Sequence, residues 1–100
     1  MARPRAELSA LLHDICDNVK FQPPTGTMLT YPCIIYRRDN LNDRKADNRT
    51  YVRHDEYQIT YITRDPDDMA WHEIADLELC SLTNTAISDN LYHYYYRIYF

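Results

Sequence analysis

Apolar and polar positions along the chain fall into two periods. The first segment carries the helical one: Leu8, Leu11, Leu12, Ile15, Cys16 and Val19 recur at three- and four-residue spacing. Arg5, Glu7, His13, Asp14 and Asp17 lie between them, and Pro4 suits a first helical position. This predicts a helix over 4–18 with one apolar stripe, which needs a sheet to cover it. Residues 19–22 alternate as a short strand does, and Pro23-Pro24-Thr25-Gly26 breaks regular structure, with Gly26 able to supply a positive φ. Residues 31–38 read as a strand whose start, at Pro32, belongs at an edge or a bulge because proline cannot donate to a ladder.

A second long strand is expected over 51–63, with Tyr57, Ile59 and Tyr61 on one face and Glu56, Gln58 and Thr60 on a more solvated one. Asp65 as a cap, Pro66 in the first turn and the acids Asp67 and Asp68 near the positive end of the dipole predict a second helix over 65–79. That helix would bury Ala70, Ile74 and Leu77, flanked by Trp71. Residues 81–90 read as a loop, with at most a short strand around 80–82. The last strand, 91–100, places Tyr92, Tyr94, Tyr96, Ile98 and Phe100 on one face. The order helix, strand, strand, strand, helix, strand implies an α+β domain: an antiparallel sheet of about four strands with two helices packed on one face. One domain over 1–100 accounts for the chain, and 39–49, its most polar stretch, is expected to be an exposed loop or arm.

Composition narrows the function more than the fold. Apolar residues make up 45% and charged residues 26%, which excludes a disordered tail, a collagen-like repeat and a disulfide-dense toxin. A single glycine leaves no material for either glycine-rich phosphate loop or for a nucleophile elbow. The net charge of −4 lacks the basic excess that a free-standing nucleic-acid-binding domain uses against phosphates. No signal-peptide core and no run of roughly 18 apolar residues is present, so a soluble intracellular chain is expected, without membrane contact. Cys16, Cys33 and Cys80 each sit in an apolar stretch and read as buried structural thiols.

Catalytic constellations are missing from the pattern. His13, His54, His72 and His93 are scattered; His72-Glu73 opens a zinc-helix motif, but position 76 is aspartate. Asp65, Asp67 and Asp68 lack the glycine of a calcium loop. Asp55 and Glu56, adjacent on a strand, point to opposite faces and read as solvated positions. No catalytic residue, cofactor or metal is therefore expected.

The aromatic load is the positive signal. Tyr92, Tyr94, Tyr95, Tyr96 and Tyr99 occupy both faces of the last strand, and a domain of this size closes only one face with its own core. Tyrosine combines a large apolar area with a polar tip, which suits contact with another subunit. Arg37, Arg38, Arg44, Lys45 and Arg49, interleaved with Asp39, Asp43 and Asp47, form either a solvated mixed-charge loop or an arm that docks through ion pairs. The candidate contact residues are Arg38, Arg44, Lys45, Arg49, Tyr95, Arg97 and Tyr99.

Nearly the whole chain, in order, resembles a family of small tail-completion or tail-terminator proteins of long-tailed bacteriophages. The resemblance rests on Leu-Leu-His-Asp-Ile-Cys-Asp-Asn (11–18), Phe-Gln-Pro-Pro (21–24), Tyr-Pro-Cys-Ile-Ile-Tyr (31–36), Ala-Asp-Asn (46–48), Tyr-Gln-Ile-Thr-Tyr-Ile-Thr-Arg-Asp-Pro-Asp (57–67) and Asp-Asn-Leu-Tyr-His-Tyr-Tyr-Tyr-Arg-Ile-Tyr-Phe (89–100). It implies a virion protein of the tail or neck, made in the host cytoplasm, with helices against an antiparallel sheet. The family assembles as a homo-oligomeric ring, commonly of six copies, that caps the tail tube, ends its polymerisation and meets the head-side connector or stopper. DNA only transits the lumen, and the family carries no catalytic residues. A head-closure protein or another neck component is the nearest alternative. A small host-directed module that binds one protein through its aromatic sheet is a further one.

Overall fold

The computed structural model describes residues 4–39 and 55–100. Helix α1 spans Arg5–Ile15 and follows Pro4. It ends where Cys16 turns extended, at φ −144°, its N–H still donating to the Leu12 carbonyl at 3.0 Å. Leu8 and Leu12, four residues apart on the stripe, are wholly buried. Strand β1 (Val19–Phe21) follows at once; the next residue, Gln22, and then Gly26 sit at positive φ. After a cis Tyr31–Pro32 peptide comes β2 (Cys33–Arg38), then β3 (Glu56–Thr63). Pro32 therefore precedes a strand in the interior of the sheet, between β1 and β3, and marks neither an edge nor a bulge.

Helix α2 is Ala70–Ala75, shorter than the expected 65–79. The acidic run ahead of it forms a turn instead: the Asp65 side chain accepts from the Asp67 N–H at 2.9 Å, and its carbonyl accepts from the Asp68 N–H at 3.2 Å. Local side-chain bonds of this kind compete with the helix for the same amides. Past Asp76 the chain turns through Leu79 at positive φ into β4 (Cys80–Ser88) and β5 (Leu91–Tyr99).

Among the described residues the sheet has five strands, in the order β1-β2-β3-β5-β4. All neighbours are antiparallel except β1, which runs parallel to β2, so the sheet is mixed. The additional strand is β4, which replaces the loop expected over 81–90. Its alternation breaks at a bulge between Leu82 and Asn84. Before it, Cys80 and Leu82 lie opposite Ile98 and Tyr96; after it, Thr85 and Ile87 lie opposite Tyr94 and Tyr92. One inserted residue moves the strand from even to odd positions on the same face, so its sequence shows no period of two.

Both helices pack on one face. Ile34 and Tyr36 of β2, Tyr57, Ile59 and Tyr61 of β3, and Tyr96 and Ile98 of β5, with Phe100 beyond it, join Leu8, Leu12, Cys16 and Ile74 in a single core. Each buried leucine or isoleucine contributes roughly 1.5–3 kcal/mol. Aromatic anchors tie the helices down: Arg5 lies 4.2 Å over the Phe21 ring and donates to the Tyr36 hydroxyl, while the Tyr96 hydroxyl donates to the Trp71 carbonyl at 2.9 Å. The Trp71 ring stacks on Tyr94 at 5.0 Å and 3°.

Candidate functional site

On the helix side, Asp68 is the polar hub. Its carboxylate accepts from the Tyr61 hydroxyl, from Thr63 Oγ1 at 3.0 Å and from the Ala70 N–H at 2.8 Å, which opens α2. Burial pushes this carboxyl up, but the bonds from Tyr61, the Ala70 amide and Thr63 outweigh it and hold the group below its ordinary value. Burial, reinforced by the bond to Asp68, raises the Tyr61 hydroxyl, and burial raises Tyr96 likewise. Groups bonded in this way hold the turn before α2 against the sheet.

The opposite face carries the exposed chemistry. Cross-strand register lines up Ile35, Thr60 and Tyr95 in one row and Arg37, Gln58 and Arg97 in the next. Arg37 donates through Nε and Nη2 to Gln58 Oε1, at 3.0 and 2.6 Å, and Gln58 Nε2 donates to Asp39 at 2.9 Å. Arg97 Nε lies 3.0 Å from Glu56 Oε1. Glu56 is thereby buried, which corrects the expectation of a solvated carboxylate. His93 and Tyr95 stack at 6.2 Å. Between these rows and the β4 bulge runs a groove of about 330 Å³, lined by Gln58, Thr60, Thr83, Asn84, Tyr95 and Arg97 among others. It offers the Arg97 guanidinium, the Gln58 and Asn84 amides, the Thr60 and Thr83 hydroxyls and the Tyr95 ring.

The expected contact residues divide. Tyr95, Arg97 and Tyr99 share this open face, and Tyr99 stands exposed at its end. Arg38 belongs to the other side: its Nη2 donates to the Tyr57 hydroxyl at 2.9 Å, a bond that raises its pKa, and its guanidinium covers the Tyr57 ring. Arg44, Lys45 and Arg49, with the proposed arm, lie outside the described residues.

The cysteines are free thiols, Cys16 and Cys33 buried and Cys80 half-buried. Burial raises all three and pushes Cys33 and Cys80 up to about 11, which favours the protonated thiol at neutral pH. His72 and Glu73 are exposed on α2, and among the described residues no group of three His, Cys, Asp or Glu side chains could hold a metal ion. No described helix is long and apolar enough to cross a membrane.

Sequence reasoning missed two further features. Asp89 and Asn90 both sit at positive φ in the two-residue turn that joins β4 to β5. An Asp-Asn pair before the Tyr-rich strand was the available signal, since such turns favour residues tolerant of that conformation. The Arg97–Glu56 pair had no local signal, because it depends on β3 lying beside β5. No protein-family model, no curated protein and no solved structure matches the chain.

Proposed function

We propose that the protein is a tail terminator of a long-tailed phage: a ring, commonly of six copies, that caps the tail tube, ends its polymerisation and joins it to the head connector. The reading is carried by the ordered resemblance of segments from 11 to 100. A domain with two unlike faces is compatible with it: one is closed by helices, and the other presents Tyr95, Arg97 and Tyr99. A ring closes when two different patches of one subunit meet head to tail. The candidate contacts on the open face are bulky, polar-tipped and without catalytic groups, as a subunit joint requires. Tail tube protein and head-side connector are the partners this role demands.

The test is deletion of the gene. Loss of a terminator gives tails of uncontrolled length. Normal-length tails beside heads that leak DNA would assign the protein to the stopper position instead, and its absence from purified particles would reject a virion role.

A further inference from the structure

The edge of the sheet formed by β4 has properties of its own. Cys80–Ser88 reads Cys-Ser-Leu-Thr-Asn-Thr-Ala-Ile-Ser: nine residues with no charge and no proline. Every position from Ser81 to Ser88 is exposed, Ile87 by 71% and Leu82 by 39%. Edge strands present a row of unpaired backbone donors and acceptors, and proteins usually guard them with charges, proline or brevity. The opposite edge is guarded so: β1 has three residues, carries Lys20 and runs out into Pro23-Pro24. On β4 the bulge is the one such device, and it leaves the stretch from Asn84 to Ser88 regularly paired with β5.

We propose that β4 is a two-fold contact edge, on which β4 of a second copy of this chain pairs antiparallel. Three observations select that occupant. In a two-fold pairing each residue meets a symmetry-related stretch of the same strand, so a charged edge would oppose like charges; β4 has none to oppose. Its side chains are mostly small or hydroxylated, and a pairing centred on Ala86, within the regular stretch, sets Thr85 against Ile87 of the copy on both sides of the axis, the β-branched pairs that stabilise sheets. An isologous contact of this kind is closed, and the guarded β1 edge stops the sheet from growing further.

The backbone is set for it. Ser88 faces Leu91 across the two-residue turn, and antiparallel alternation then directs the Ile87 and Thr85 backbone groups outward. Asn84 Oδ1 holds the Thr85 N–H at 2.9 Å, and an arriving carbonyl takes over that bond. The contact is independent of the terminator reading, since it needs only two copies of this chain.

Solution mass across a wide concentration range tests it. The wild-type protein is expected to double in mass as concentration rises. Thr85→Lys combined with Ile87→Lys, both at exposed positions, should raise the concentration of half-dissociation about tenfold or more by setting like charges face to face across the axis. Hydrogen exchange on the wild-type chain gives a second readout that needs no variant: the Ile87 amide should gain protection with concentration while β3 amides do not change. A wild-type mass that never doubles up to millimolar concentration would overturn the proposal. So would doubling that the double lysine variant leaves intact and that brings no protection to β4.

Discussion

The two faces of the sheet are built from alternate residues of the same strands, yet they obey different rules. Tyr96 and Tyr95 are neighbours in β5. The first is wholly buried beneath α2, with its hydroxyl spent on the Trp71 carbonyl; the second is half-buried, stacks on His93 and lines an open groove. On the closed face, shape and burial decide which residue fits. On the open face, polar partners lie side by side, Arg37 on Gln58 within one row and Arg97 diagonally on Glu56 of the next, and hold one another in place. A residue type such as tyrosine therefore says little by itself; its position in the pleat determines whether it supports the fold or is available to a partner.

Substitutions should separate the two faces, and the closed one should respond most. Tyr96→Ala removes a ring from the centre of the core and an anchor of α2, and a loss of about 4 kcal/mol is expected in denaturant unfolding. Tyr95→Ala should cost far less. If the two losses were equal, the distinction between the faces would fail.

Asp68→Ala should come next. It strips the acceptor from Tyr61, Thr63 and the Ala70 amide, at a cost of about 2 kcal/mol. The pH dependence follows from the lowered carboxyl. A group depressed in the folded state stabilises above its unfolded value, near about 3.9, and that contribution is lost as pH falls through the folded value. The difference in stability between wild type and Asp68→Asn should thus be largest near neutrality and shrink below about pH 4. Unfolding curves at pH 3 and pH 7 check this.

Arg97→Ala tests the open face from beneath, since it leaves the buried Glu56 carboxylate without its guanidinium. The half-exposed arginine is screened by water, so the expected loss is about 1 kcal/mol, measurable by thermal unfolding. The double substitution with Glu56→Gln should recover part of it. Smallest of all, Ile87→Thr on the exposed edge should change monomer stability by less than about 0.5 kcal/mol, in contrast with a core isoleucine such as Ile59.

Much of this arrangement was legible in the residues. Leu8 and Leu12 at four-residue spacing announced α1 and its buried side, and the alternation Tyr57, Ile59, Tyr61 assigned the core face of β3. The number of strands was not legible, because the bulge after Leu82 shifts β4 from even to odd positions and erases the period that marks a strand. The length of α2 was also misjudged. Asp65, Pro66 and Asp67 are as well suited to a hydrogen-bonded turn as to a helix start, and the bonds to Asp68 from Tyr61 and Thr63 determined that the helix opens at Ala70. Of the expected contact residues, Tyr95, Arg97 and Tyr99 came together because period two guarantees it. Arg38 separated from them by the same rule, one residue out of step with Arg37 on β2.

By itself the sequence determined the class of domain, the apolar faces of its main elements and the absence of glycine-rich phosphate loops, since these depend on local spacing and residue supply. The tertiary structure decided which strand stands at an edge, that β1 runs parallel to β2, and that Glu56 is covered by Arg97. Those outcomes depend on which strands become neighbours. Contacts between residues 41 positions apart in the chain, as Glu56 and Arg97 are, exist only after the sheet has closed.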